Sequence, residues 1–542
     1  MFRNKSVDVH RFAMTPKPDV PRSTFRIEHA HKTTFDAGFL VPVYCEEVLP
    51  GDTFKVKATF FARMATPIFP VMDNAYIDSF FFFVPNRLVW SNWVKFMGEQ
   101  DNPSDSISFV IPQQVSPASG YAVGSLQDYF GLPVVGTLGG GATATHSALP
   151  LRAYNLIWND WFRDENLQTS VTEDKGDGPD TVANYVLKRR GKRHDYFTSA
   201  LPWPQKGGTA VQLPLGTSAP IRGMSTGNAV TVAITAQNIG STVPAGALSQ
   251  SSSPNFGAYS RSAVGTAAAT AFNDTNAMPF ADLSTATAAT VNQLRQAFQI
   301  QKLLERDARG GTRYTELVRS HFGVLSPDSR LQRPEYLGGG STPIIVNPVA
   351  QTSGTSATGT TTPLGTLGAV GTSVSQHGFS QSFVEHGYVL GLVSVRADLT
   401  YQQGLRKHWS RTTRYDFYFP VFAMLGEQAI LNRELYCRGD ANDALVFGYQ
   451  ERWAEYRYSP SMITGLFRST AAGTIDGWHL AQRFTSLPTL NSTFIEEAPP
   501  FSRVIAVGAS ANGQQLLLDS VFAGDITRPL PSYSVPGLID HF

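Results

Sequence analysis

The sequence predicts an all-β chain, an antiparallel β-sandwich of the jelly-roll type interrupted by long loops and a few helices. Charged residues make up 16% of the 542-residue chain, against the roughly 25% usual for soluble proteins. Gly, Pro, Phe and Tyr are plentiful instead, a bias toward strands and loops. The run Phe80, Phe81, Phe82, Phe83 and Val84 lacks polar alternation, as a strand covered on both faces requires. Strand signals recur near both ends of the chain, and neither set can bury its apolar face alone, so the two must meet in space.

Composition narrows the function classes. The formal net charge is +1, which argues against a globally basic nucleic-acid binder and leaves only local contacts. The two cysteines, Cys45 and Cys437, lie far apart with no second pair, so they signal neither a zinc site nor a disulfide framework and are expected as reduced, buried thiols. Arg3, Lys5, Arg11 and Lys17 sit among polar neighbours without an apolar core of a signal peptide, and no apolar run is long enough to span a bilayer. A soluble protein made in a cytoplasm is expected, with the sequon Asn491-Ser492-Thr493 a coincidence.

In chain order, residues 1–33 read as an N-terminal arm with Pro16, Pro18 and Pro21 and a basic excess. Phe39, Val41, Val43 and Cys45 alternate with other residues up to the turn Pro50-Gly51-Asp52, after which Phe54, Val56, Ala58 and Phe60 alternate again; two antiparallel strands joined by a tight turn are the natural expectation. After the Phe80 strand, Trp90, Trp93, Val94 and Met97 recur at helical spacing, with Asn86 suited to start a helix and Gly98 to end it. Residues 101–150 are loop-like. Leu151, Tyr154, Asn155, Trp158, Trp161 and Phe162 then mark an amphipathic helix to Arg163, its aromatic stripe facing a core. An acidic loop follows from Glu173 to Asp180, expected to be mobile.

Residues 207–290 are rich in Gly, Ala, Ser and Thr and carry only Arg222, Arg261, Asp274 and Asp282 as charges, the composition of a surface-projecting insertion. Residues 291–337 form a helical segment: Val291, Leu294, Phe298 and Leu304 share an apolar face, Gly310-Gly311 closes it, and Tyr314 to Phe322 adds a further turn. Residues 338–375 have no charge until strand signals resume, and read as a flexible Gly/Thr-rich loop. From Gly387 to Ala397, Tyr388, Leu390, Leu392, Ser394 and Arg396 share one face of a strand. Tyr415 to Phe422 and Ser492 to Ile495 are further candidate strands, and Pro529 to Phe542 an extended arm. The shell of the fold is thus split, 34–206 with helical insertions forming its first part and 376–542 its second part with the C-terminal arm.

The order and spacing of several aromatic-rich segments carries a resemblance. The N-terminal arm, Phe80 to Trp93, Thr290 to Arg309, Tyr388 to Tyr401, Phe417 to Gln428 and Gly448 to Tyr458 together resemble the major capsid protein of microviruses, in the gokushovirus branch of these small icosahedral single-stranded DNA phages. The resemblance implies an eight-stranded jelly-roll shell protein, one per icosahedral asymmetric unit of a T=1 virion assembled in the host cytoplasm. It also implies a long insertion projecting outward from the threefold axes; that such an insertion meets the host cell surface is an expectation from its exposure and composition alone. Implied partners are further copies of the chain, packaged circular single-stranded DNA, an internal scaffolding protein, a minor capsid or pilot protein and a small basic DNA-binding protein.

Packaged DNA needs cations for phosphate and π surfaces for unstacked bases. Two clusters qualify: Lys188, Arg189, Arg190, Lys192 and Arg193 beside Tyr196 and Phe197, and Arg406, Lys407, His408, Trp409, Arg411 and Arg414 beside Tyr415. Such clusters are more often solvated faces or subunit salt bridges. No phosphate loop, HExxH or Gly-x-Ser-x-Gly signature is present, so no catalytic residues and no cofactor are expected. His29 and His31 lack a third metal ligand, and Asp174, Asp177 and Asp180 lack the pattern of a calcium loop, so no metal is expected either. The alternative is a β-sandwich polysaccharide-binding adhesin or glycoside hydrolase, but Glu496 and Glu497 are adjacent and would point to opposite faces of a strand.

Overall fold

The computed structural model describes residues 21–207, 211, 221–222, 280–281, 291–350, 352, 367–506 and 514–533. Eight strands are hydrogen-bonded antiparallel to their neighbours in the order β1-β8-β3-β6-β5-β4-β7-β2: β1 (Ser23–Phe35), β2 (Val41–Val48), β3 (Thr53–Met64), β4 (Ala75–Pro85), β5 (Glu335–Ala350), β6 (Leu367–Ser382), β7 (Gly387–Ala397) and β8 (Leu516–Arg528). Strands β1, β8, β3 and β6 make one layer and β5, β4, β7 and β2 the other. Strand β5 turns the corner, pairing with β4 over Glu335–Ile344 and with β6 over Ile345–Ala350. Inward residues of both layers meet in one apolar core that includes Val43, Phe54, Phe60, Phe81, Val393, Leu518 and Phe522. This is the jelly-roll sandwich that the sequence predicts.

Strand β4 shows why the phenylalanine run has no polar alternation. Ala75, Ile77, Phe81 and Phe83 point into the sandwich, while Phe80, Phe82 and Val84 point outward against Val89, Trp90, Tyr154 and Trp158. Strand β7 repeats the arrangement, with Val389, Val393 and Val395 inward and Leu390 and Leu392 outward. The outer cover comes from helix α1 (Leu149–Ile157), continued by a π-helical turn over Trp158–Phe162, and from the helical turns Asn86–Val89 and Trp93–Phe96. Each large apolar side chain buried this way contributes about 1.5–3 kcal/mol. The single helix expected here is instead two four-residue turns: Gly98, at φ +103°, follows the second, but Asn86 is the first residue of the first and does not cap it.

Several expectations are corrected. The turn Pro50-Gly51-Asp52 is present, with Gly51 at φ +93° and Asp52 Oδ2 accepting the Leu49 amide. Its flanking strands do not pair with each other, however: β2 pairs with β7, and β3 with β6 and β8. The turn carries the chain from one layer to the other, a choice of partner that alternation cannot reveal. Residues 23–33, read as part of an arm, belong to β1 and pair along their whole length with β8; residues 1–20 lie outside the described residues. The loop expected at 338–375 is largely β5 and β6, with 353–366 outside the described residues. Its glycines reflect close approach: a Cβ at Gly339 would lie 2.1 Å from Ser79 O, and one at Gly378 2.3 Å from Val56 O.

Tyr415 to Phe422 forms 3-10 turns and Ser492–Ile495 a helical turn capped by Asn491, so neither is a strand. The strand that completes the sheet is β8. Cys45 and Cys437 are exposed instead of buried. The acidic loop is anchored, since Asp177 accepts hydrogen bonds from Trp90 Nε1 and Asn92 Nδ2 and Asp180 is buried against Arg152. His29 stacks on Tyr44 and Phe522, and His31 Nδ1 lies 3.0 Å from Val43 O.

Helices α2 (Val291–Gly310) and α3 (Tyr314–Phe322) occupy the predicted helical segment. Val291, Leu294, Phe298 and Leu303 on α2 are exposed. The chain divides into two compact units, Thr209–Leu304 forming the second by itself, where Ile221–Arg222 pairs with Phe280–Ala281. Most of 207–290 lies outside the described residues, as does the tail beyond residue 533. Within the first unit, the long β4–β5 and β7–β8 connections share a third apolar cluster of Tyr196, Phe197, Tyr401, Ile430, Phe447 and Phe494. No helix among the described residues is long and apolar enough to cross a membrane.

Candidate nucleic-acid and subunit interface

The first basic cluster lies on an extended segment stitched between two loops. Leu40 N donates to Lys188 O, Arg190 N to Gly38 O, Lys192 N to Ile495 O and Glu497 N to Arg190 O, at 2.8–2.9 Å. An extended backbone sends alternate side chains to opposite sides. Lys188 Nζ lies 5.6 Å from the Trp158 ring centre, Arg190 lies over Phe80 and Lys192 Nζ lies 4.7 Å from that of Phe494. On the other parity, Arg189 stacks at 4.0 Å on Phe39 and donates to Ala37 O and Glu497 O, and Arg193 reaches Asp398 at 3.3 Å.

Internal pairing takes up part of this charge. Asp78 Oδ2 is shared by Arg190 Nη1 at 2.5 Å and Arg396 Nε at 2.8 Å. Burial opposes ionisation of Asp78, but the Ser341 hydroxyl, Arg190 and Arg396 prevail and hold its carboxyl below the usual carboxylate range. Burial likewise pushes the Lys192 ammonium and the Arg189 guanidinium down, against the pull of nearby carboxylates. Arg190, Lys192 and Arg193 nevertheless line a cleft of about 1070 Å³ together with Arg163, Arg309, Arg313 and the rings of Phe80, Phe82, Trp161, Phe162 and Tyr336. Tyr196 and Phe197, the π surfaces expected beside this cluster, are buried in the third apolar cluster, where Tyr196 donates to Glu434. The aromatic wall comes from β4, from Tyr336 of β5 and from the π-helical turn that follows α1.

The second cluster surrounds a pocket of about 230 Å³ lined by Tyr401, Arg406, Lys407, His408, Arg411, Tyr456 and Tyr458. Lys407 bonds Ala429 O and pairs with Glu434 at 3.2 Å, Arg411 pairs with Glu455 at 3.3 Å between the Phe417 and Tyr456 rings, and Arg406 donates to Pro460 O. Arg414 lies over Phe419, and His408 packs on Trp409. Trp409 and Tyr415 are 72% and 70% exposed, and they continue into an exposed ridge of Phe417, Tyr418, Val421, Met424 and Leu425. Sequence reasoning missed this ridge because the segment reads as a buried strand. A surface run this apolar and nearly uncharged is suited to burial against another protein surface.

An eight-stranded jelly roll with long connections and an exposed apolar ridge fits the class of structural proteins that tile into shells. The chain belongs to the capsid protein (F protein) family, whose model it matches over residues 13–538. It is 49% identical to capsid protein VP1 of Bdellovibrio phage phiMH2K over 98% of both chains, 42% identical to capsid protein VP1 of Chlamydia phage 1 and 37% identical to capsid protein VP1 of Spiroplasma virus 4, each again over 98% of both. The protein is therefore a structural component of the phage virion, an oligomeric shell protein and not an enzyme. The adhesin and glycoside hydrolase alternative finds no support; Glu497 is buried, and Glu496 bonds Ser492.

Proposed function

We propose that the chain assembles into a T=1 icosahedral shell around a circular single-stranded DNA genome, with the large cationic and aromatic cleft facing that genome. The observation that carries the DNA contact is the conjunction, in one cleft, of Lys192 with five aromatic rings. Arg163, Arg190, Arg193, Arg309 and Arg313 line it too but each pairs with a carboxylate, and Asp164, Glu165 and Glu316 share the wall. Of these six cations Lys192 is therefore the one left for phosphate, and the rings serve unstacked bases. In the second cluster Arg406, Arg414 and Trp409 are the candidates for DNA, because Lys407 and Arg411 already pair with carboxylates. The near-zero net charge supports a division of labour in which a small basic protein neutralises most of the genome, beside an internal scaffolding protein and a pilot protein. The insertion at 207–290 is proposed to project outward and meet the host surface.

Negative-stain microscopy and size-exclusion chromatography of the full chain coexpressed with its assembly proteins test the shell: closed uniform particles are expected, and a monomer that never associates at any ionic strength overturns it. Shortening 207–290 should leave particles intact and lower attachment; unchanged attachment counts against the projecting role.

A further inference from the structure

One wall of the large cleft is held by a junction at which residues 190–192 pair with residues 495–497, Gly191 facing Glu496. At this junction Glu497 is 1% exposed, and neither of its carboxylate oxygens makes a hydrogen bond of good geometry, the Ala397 amide being a weak donor to it. A buried carboxylate so poorly hydrogen-bonded is costly in its charged form, so its proton controls the local balance of charge.

The groups facing it come from each element packed against it. Lys192 and Arg190 lie on the paired segment, with Arg396 on β7 and the Ala397 amide beside it. Arg190 and Arg396 are already held by Asp78 of β4. Arg189 donates to the Glu497 carbonyl and faces Glu496 and Asp36, while Tyr401 faces Glu497 from the third apolar cluster. Lys192 faces Glu497 and Asp195, and among the described residues it has no ion pair within 4.0 Å. It also lines the cleft. Lys192 is thus the cation for which Glu497 and a phosphate in the cleft compete.

We propose that Glu497 is a proton-operated gate on the cleft's hold on nucleic acid: when protonated it leaves Lys192 to phosphate, and when ionised it takes Lys192 as its own counter-ion. This rests on the DNA-facing role of the cleft and adds its regulation. Burial pushes the Glu497 carboxyl up to about 7, against the pull of Lys192, Arg190 and Arg396, which places the change of state near neutrality. Linkage gives the sign. Phosphate at Lys192 withdraws the counter-ion and favours the proton on Glu497, so protonation must favour phosphate to the same degree. The grip tightens as pH falls through neutrality and slackens as it rises.

Anisotropy of a labelled oligodeoxythymidine bound to the full-length chain, at fixed ionic strength from pH 5.5 to 8.5, tests the gate. The wild type is expected to bind roughly fivefold more tightly at the acid end, the worth of one partly exposed charge contact. Glu497→Gln should hold the acid-end affinity throughout, Lys192→Met should bind weakly at every pH, and His194→Asn, which alters the histidine on the cleft wall, should keep the wild-type profile. A protonated-carboxyl band in the wild-type minus Glu497→Gln infrared difference spectrum should titrate over the same range. Binding with an undiminished pH profile in Glu497→Gln overturns the gate and leaves the DNA contact standing, as does a profile abolished by His194→Asn. No binding by the wild type at any pH overturns both.

Discussion

Replacing Asp180 with Asn is the sharpest test of how the outer cover of β4 is fixed. Arg152 of α1 and Asp180 of the acidic loop are almost wholly buried, with side chains 1% and 0% exposed. Arg152 Nε and Nη2 reach the two Asp180 oxygens at 2.7 and 2.5 Å, Nη1 donates to Val89 O and Gly176 O, and Tyr185 donates to Asp180 Oδ2. Asn presents one acceptor where the guanidinium meets two, and it leaves Arg152 only the more distant Asp174, at 3.7 Å, as counter-charge. Breaking one partner of a buried pair costs about 3–5 kcal/mol, whereas replacing both by apolar groups of similar volume is often close to neutral. Asp180→Asn is therefore expected to lower unfolding free energy by about 3–5 kcal/mol, with Arg152→Met/Asp180→Leu recovering most of the loss. Urea titration of unassembled protein followed by tryptophan fluorescence is the assay, since Trp90 bonds to Asp177 in the same loop. An Asp180→Asn midpoint indistinguishable from wild type would refute the claim that this pair pins α1 and the loop to the sheet.

The other predictions concern the sheet, its acid response and the ridge. Gly339→Ala should cost at least about 2 kcal/mol through overpacking against Ser79 O, seen as insoluble protein or a lowered denaturation midpoint; a normal midpoint would mean that β4 and β5 separate easily. Because the Asp78 carboxyl titrates below its ordinary value, its stabilisation is present above pH ~4 and is lost as pH falls through its folded value. Asp78→Asn should therefore destabilise at neutral pH and flatten the acid limb of a melting-temperature profile, and an unchanged acid limb would count against it. Val421→Asp and Met424→Asp, at positions 81% and 95% exposed, should leave circular dichroism unchanged and reduce particle yield severalfold; full yields would remove the ridge from the subunit contacts.

The sequence made legible those elements whose own residues carry the packing signal. Strands β4 and β7 and helix α1 announce themselves because Phe80 to Val84, Val389 to Val395 and Leu151 to Trp158 need apolar neighbours on known sides. Strands β5 and β6 were illegible because their glycines and serines are chosen by the strand alongside: Gly339 and Gly378 make room for backbone that is remote in sequence. Strand β1 alternates half-buried and exposed residues, so from composition alone it looks like a solvated arm. The basic clusters were visible as counts of charge, but their partners were not. Asp78, Asp398, Glu434 and Glu455 reach them only through the fold, and so does the aromatic wall of the large cleft, which Phe80, Trp161 and Tyr336 supply in place of Tyr196 and Phe197.

The position of β8 constrains how the molecule can be made. It lies between β1 and β3, pairing with Ser23–Phe35 on one side and Thr53–Met64 on the other, so of the eight strands of the sandwich the one made last must slot between two of the first three. Until then the nascent layer has a gap in its middle, bordered by two unpaired strand edges that invite neighbouring chains to fill it. Closure across so long a sequence separation is slow, and a premature stop shortly before Leu516 would split the wall down its centre instead of trimming its rim. Quality control is thereby built into synthesis: only polypeptides translated past Arg528 can present a finished surface to the growing particle.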